Sequence, residues 1–217
     1  MRSSEGGSSG AGGGRTFTER ARRAQIVGCA IELVNEVGFG QASVARIAQR
    51  AGVAKSVVLY HFANKEELVR AIVGDIFVTG ATVMLPAMAA EETAAGKLAA
   101  YIRSNLAFIN SHRPESFAIL DIMTSFRTQE GLRLDEAASR EARPTAEMAN
   151  LDPVGIFELG QRTGEFRPLP APMLAIALRT AIDGAVWQLS RDPDFDALAY
   201  GEELVTIFDL ASRRQEP

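Results

Sequence analysis

The sequence predicts an all-α protein, in which an N-terminal three-helix unit containing a helix-turn-helix is followed by a larger helical body. Three observations carry this prediction. Apolar residues recur every three or four positions through most of the 217 residues, and no stretch alternates strictly enough to read as a strand. Glycine and proline mostly punctuate these periodic segments, as at Gly38, Gly52, Pro114, Gly164 and Pro193. Residues 43–68, SVARIAQRAGVAKSVVLYHFANKEEL, join two short helical patterns by a turn and follow them at once with a capped third.

The elements can be justified in order. Residues 1–14 (MRSSEGGSSGAGGG) are Gly/Ser-rich, and a disordered tail is expected over residues 1–18. Its GAGGG run follows no strand and so does not read as a phosphate loop. A first helix is expected over residues 19–37, with Ile26, Ala30, Leu33, Val34 and Val37 as its core stripe and Gly38 as its stop. Phe39 should pack beneath the unit that follows. Ser43 can cap the second helix, whose apolar face is Val44, Ile47, Ala48 and Ala51. Ala48 is small where two crossing helices approach, and Gly52 suits the left-handed residue that ends this helix. Val53, Val58 and Phe62 form the inward side of the third helix.

Asn64 with Glu67 makes a capping box for a fourth helix, expected over residues 65–85 with Leu68, Val69, Ile72, Ile76 and Phe77 apolar. Gly74 and Gly80 weaken this helix, and Pro86 should end or kink it. It joins head to body and is the natural lever between them. A fifth helix is expected over residues 93–112. Residues 115–127 are apolar on most sides, which places that helix centrally. Residues 128–151 are polar and poorly periodic, and read as a loop with one short helix. Asp152-Pro153 opens a helix that Gly164 should end. The rigid RPLPAP connector leads to two long apolar helices over residues 173–190 and 195–213.

Composition narrows the function classes. The formal charge of −4 argues against a protein that coats nucleic acid through bulk charge. The distribution is uneven, however: residues 1–70 carry a net +4 and the remainder −8. A basic head on an acidic body fits one DNA-facing end. Cys29 is the only cysteine, and His61 and His112 are the only histidines, so no zinc-ligand spacing exists. There is no nucleophile elbow and no phosphate-binding Gly-Lys loop, so an enzyme has no positive support and no cofactor is implied. No apolar run approaching a membrane span and no signal-peptide core is evident, which leads us to expect a cytoplasmic protein without a membrane partner.

The outward side of the third helix carries Lys55, Ser56, Val57, Tyr60 and His61. A cation, a hydroxyl, a small apolar group and an aromatic donor together can reach phosphates and base edges. Spacing alone fits an ordinary helix hairpin equally well. The run over residues 20–72, however, resembles the N-terminal domain of TetR-type transcriptional regulators. The resemblance rests on Ser43, Ile47-Ala48, Ala51-Gly52-Val53, Tyr60-His61-Phe62 and Asn64-Lys65-Glu66-Glu67-Leu68. The chain departs from that family at Ala54, Val57, Leu59 and Ala63, where Ser, Thr, Tyr and Pro are common. Two of these, Val57 and Leu59, lie on or near the reading face, so they bear on which operator is read.

The resemblance implies a head over residues 19–64 that binds double-stranded DNA and a body over residues 65–217 that binds an effector and dimerises. Lys55, Ser56 and Val57 would then face bases. Tyr60, His61 and Lys65 would face phosphates, Ser43 would stand at the cap, and Arg46 would add a groove or phosphate contact. A two-fold operator needs two recognition helices about 34 Å apart, hence a homodimer, for which the last two helices are the expected interface. Gly184 would let facing helices approach. A small, largely apolar effector is expected among Phe108, Phe117, Leu120, Met123, Phe126, Phe157 and Trp187. The alternative function is a small-molecule binding protein whose DNA-binding head has little or no regulatory role.

Overall fold

The computed structural model describes residues 16–134, 136–137 and 151–214. Among them it contains nine α-helices and one 3-10 turn, with a lone bridge between Phe166 and Arg213 in place of any strand. The head is α1 (Phe17–Val37), the turn Phe39–Gln41, α2 (Val44–Arg50) and α3 (Lys55–His61). The body is α4 (Lys65–Ala89), α5 (Ala94–Ser111), α6 (Arg113–Ser125), α7 (Pro153–Thr163), α8 (Ala171–Arg191) and α9 (Ala197–Ser212). Most of the tail expected over residues 1–18, and most of the loop expected over residues 128–151, lie outside the described residues.

Helix ends follow local chemistry. Helix α1 begins at Phe17, two residues ahead of expectation, because Thr16 and Glu19 form a reciprocal capping box. Gly38 ends it at φ 79° and Gly52 follows α2 at φ 66°, both in the region that favours glycine. Asn64 Oδ1 accepts from the Glu67 amide at 2.8 Å, while the Glu67 carboxylate reaches one residue further back, to the Ala63 amide, also at 2.8 Å. Asp152 caps α7, Pro153 is its first residue and Gly164 ends it at φ 79°, as the sequence predicts.

Helix α4 is the main departure. It runs through Pro86 to Ala89, four residues beyond the expected end, because the proline falls in a last turn held by the Ala90 amide bonding to the Pro86 carbonyl at 3.1 Å. By length and composition alone it would also be long and apolar enough to cross a membrane, a test that the core helix of a soluble protein passes equally. In the fold it is a core helix that packs on α1, α5 and α6 through residues such as Leu68, Ile72 and Ile76.

Two apolar cores result. The head core gathers Ile26, Ile47, Val58, Phe62, Leu68 and Ile72, and extends to Ala118 and Ile122 of α6 and to Phe126 just past its end. The body core centres on α5, which packs on α4, α7, α8 and α9. Its residues Ile102 and Leu106 are fully buried. Burying a side chain of that size contributes about 1.5–3 kcal/mol. Gly201 lets α9 approach α5 so closely that a Cβ there would lie 3.3 Å from Leu106. Gly184 faces Tyr200 of α9, whose hydroxyl donates to the Ala181 carbonyl at 2.9 Å, so its close approach is within the chain.

Candidate nucleic-acid interface and body cavity

Helix α3 has one buried and one open side. Val58 is fully buried, and Phe62 just beyond the helix is 1% exposed. Both lock α3 onto α1 and α2. Lys55, Ser56 and Tyr60 point to solvent on the other side, with Val57 and His61 half-buried between them. Ala54, at the cap, contributes no side-chain bond to the first turn. The C-terminal end of α3 is clamped by Arg23, which donates to the His61 carbonyl and to Glu67 at 3.3 Å while lying 4.0 Å from the Phe62 ring centre.

The structure brings the predicted readers together on this end of the molecule, but several have structural partners. Ser43 uses its hydroxyl to accept from the Arg46 amide at 3.3 Å. Arg46 is exposed and donates to the Gln41 carbonyl at 3.3 Å. The Tyr60 hydroxyl donates to Glu19 at 3.2 Å, and its ring meets His61 edge-on at 5.2 Å. Backbone and side-chain bonds from Thr16, with that Tyr60 bond, hold the Glu19 carboxyl below its usual range. Lys65 lies 4.1 Å above the Phe39 ring, where burial lowers its pKa.

Several cations of the head are also paired internally. Arg50 pairs with Glu36 and, at 3.3 Å, with Glu32. Arg23 and Arg70 pair with Glu67 and Glu66. Arg46 and Lys55 have no ion-pair partner among the described residues and carry open positive charge beside α3.

The residues expected to line one effector pocket separate into four places. Phe108, Leu120 and Met123 line a cavity of about 300 Å³ between α4, α5, α6 and α8. Phe117 and Trp187, with Leu120 again, border a second cleft of about 490 Å³ against α1. Phe126 instead enters the head core, where its ring meets Phe39 edge-on at 5.7 Å. Phe157 is fully buried in the body core beside Phe166. Helical periodicity marks most of these as inward-facing, but it does not say which core each one enters, and Trp187 remains half exposed.

The sequence reading missed the polar part of the 300 Å³ cavity, formed by Tyr101, Asn105, Arg179 and Asp183. A signal was present: Arg179 and Asp183, four residues apart, are the only charges in α8 before Arg191.

Similarity to known proteins is concentrated in the head. Residues 26–72 match the family model described as bacterial regulatory proteins, tetR family. Over 55 residues the chain is 40% identical to the HTH-type transcriptional regulator BetI of Escherichia coli, covering 25% of this chain and 28% of BetI. The match thus spans little more than a quarter of the curated relative's length. The whole fold resembles the transcriptional regulator FadR from Bacillus subtilis, solved in complex with stearoyl-CoA, with TM-score 0.71 and 22% identity over 85% of this chain and 96% of that one. It also resembles the ketosteroid transcriptional regulator KstR2 of Mycobacterium tuberculosis, with TM-score 0.61 and 18% identity over 89% and 96% of the two chains.

Proposed function

We propose, from the match of residues 26–72 to the tetR family of bacterial regulatory proteins, that the protein is a homodimeric, ligand-responsive transcriptional regulator acting in the cytoplasm. In this reading it is a repressor that releases a palindromic operator when a small, largely apolar effector occupies the body. The observation that carries the reading is the division of α3 into a locked inner side, Val58 with Phe62, and an open outer side bearing Lys55, Ser56 and Tyr60. A helix so held can enter a major groove without rearranging its own core.

Three features support the rest. Apolar side chains stand exposed on the last two helices, with Met173 and Ile176 about two-thirds exposed on α8 and Ile207 and Leu210 more than half exposed on α9. A second copy covering them would supply the two-fold pairing that a palindrome requires. The 300 Å³ cavity is lined mainly by apolar side chains of α4, α5 and α6, which suits an apolar effector. FadR, with the same fold, is in complex with a long-chain acyl-CoA. An effector lowers operator affinity only as far as it prefers the conformation that binds DNA poorly. Helix α4 runs from the cavity at Met84 and Gly80 to the head at Leu68, and can carry that preference.

The test is selection of bound sites from a random double-stranded DNA pool with the full chain. The expected result is an inverted repeat whose half-site centres lie about 34 Å apart, or a multiple of that spacing. Recovery of no enriched sequence at low salt would overturn the reading in favour of a binding protein with an idle head.

A further inference from the structure

The body cavity is mainly apolar, apart from Ser116, whose hydroxyl donates to the His112 carbonyl at 2.9 Å, and the end where Tyr101, Asn105, Arg179 and Asp183 meet. Arg179 donates through Nε at 3.1 Å and Nη2 at 2.8 Å to the same oxygen, Oδ1 of Asp183. Its Nη1 reaches Asn105 Oδ1 at 3.1 Å and the Tyr101 hydroxyl oxygen at 3.5 Å. Asn105 Nδ2 donates to the Tyr101 carbonyl at 2.8 Å, which fixes the amide orientation. A guanidinium has five N–H groups, and these contacts leave one Nη2 hydrogen uncommitted. The Tyr101 hydroxyl accepts from Arg179, but its own proton meets no acceptor among the described residues. Tyr101 is 2% exposed, and burial pushes its pKa up, so it remains a donor at neutral pH.

Two donors therefore stand without acceptors in the wall of a mainly apolar cavity, and a ligand oxygen would satisfy them. Charge decides which kind of oxygen. Asp183 already neutralises Arg179, and both side chains are only partly exposed, so a carboxylate entering here would set a second negative charge beside Asp183 where water screens it incompletely. A neutral carbonyl oxygen offers lone pairs without that penalty. We infer that this end of the cavity recognises the carbonyl oxygen of a small, neutral, otherwise apolar molecule, with the Tyr101 hydroxyl as principal donor and Arg179 as the second. The apolar remainder of the molecule lies against Phe108, Ile119 and Met123. A volume of about 300 Å³, at the small end for ligand sites, selects medium-chain ketones or esters over larger ligands. This inference rests on the effector reading of the body and gives that effector a chemical class.

The probes are 2-alkanones of six to twelve carbons and the carboxylates of equal length, titrated calorimetrically into the full chain at pH 7. At least one ketone is expected to bind saturably, about tenfold or more tighter than its carboxylate counterpart. Tyr101→Phe keeps the ring and removes the O–H, and should weaken the ketone by about tenfold. Asp183→Asn leaves Arg179 uncompensated and should shift the preference toward the carboxylate. Absence of binding by every ketone, equal or tighter binding of the carboxylate to the unmodified chain, or unchanged ketone affinity in Tyr101→Phe would each overturn the inference. Circular dichroism of both variants excludes misfolding as the cause of a loss. Parallel titrations against the selected operator separate the two readings. Ketone binding with no effect on operator affinity sinks the effector role and leaves the carbonyl site intact. Operator release by another compound class, without ketone binding, does the reverse.

Discussion

Lys65 shows how one side chain can serve the fold and the proposed interface together. Its ammonium lies 4.1 Å above the Phe39 ring at the start of α4, close to the α3 surface. Lys65→Ala is expected to weaken binding to every DNA sequence alike and to reduce the slope of log K against log salt by about one unit. Fluorescence anisotropy titrations at several salt concentrations measure both effects. An unchanged slope would mean that the ammonium stays on the ring when DNA is bound. The identities of the small and turn residues were legible in the sequence at this scale. Ala48 is 2% exposed, and Gly52 has the positive φ its position demands. The partners of the charged residues were not legible, because ion pairs in the head join distant positions. Glu67 lies 44 residues from Arg23, and Glu32 lies 18 residues from Arg50. These pairs leave the net +4 unchanged but tie up particular cations, so a count of Arg and Lys overstates how many side chains the head can offer DNA.

Among the elements, α6 was read as central, and the structure gives it a second attachment. Asp121 accepts from the Phe39 amide at 2.7 Å, directly after the turn that ends α1, while its neighbours Leu120 and Met123 line the cavity. The same helix therefore faces both the proposed effector site and the base of the head. Asp121→Ala removes the acceptor of a part-buried amide and should cost about 1–3 kcal/mol in thermal unfolding. It should also diminish the change in operator affinity that an effector produces, which paired DNA titrations would show. In the body, α7 holds a tight contact: a Cβ at Gly160 would lie 2.2 Å from the Phe166 ring. Gly160→Ala is therefore expected to destabilise the fold by about 1–3 kcal/mol, read as a lower melting temperature. Most helix boundaries could be read from Gly, Pro, Asn and Asp, since those residues act locally. The membership of the cavity could not, because it depends on how four helices cross, and each apolar stripe is compatible with several crossings.

For the whole molecule, exposed apolar side chains are concentrated on α8 and α9, although Phe17 of α1 and Val78 of α4 are also exposed. Trp187→Glu combined with Ile207→Glu places two charges where both native side chains are about half exposed. The double variant should keep the helical circular dichroism of the parent, sediment as a monomer at micromolar concentration and lose specific operator binding. Retention of the dimer would move the interface to another face. The head core also has a consequence for how the molecule comes apart. Its buried set takes in Ala118, Ile122 and Phe126 from far along the chain, so the DNA-reading helices do not own all of the surface that stabilises them. The first 72 residues alone would leave the inner faces of α1 and α4 without those neighbours. Opening of α1 and α6 should then be one cooperative event, with backbone amides of both exchanging hydrogen at a common free energy despite a separation of about a hundred positions.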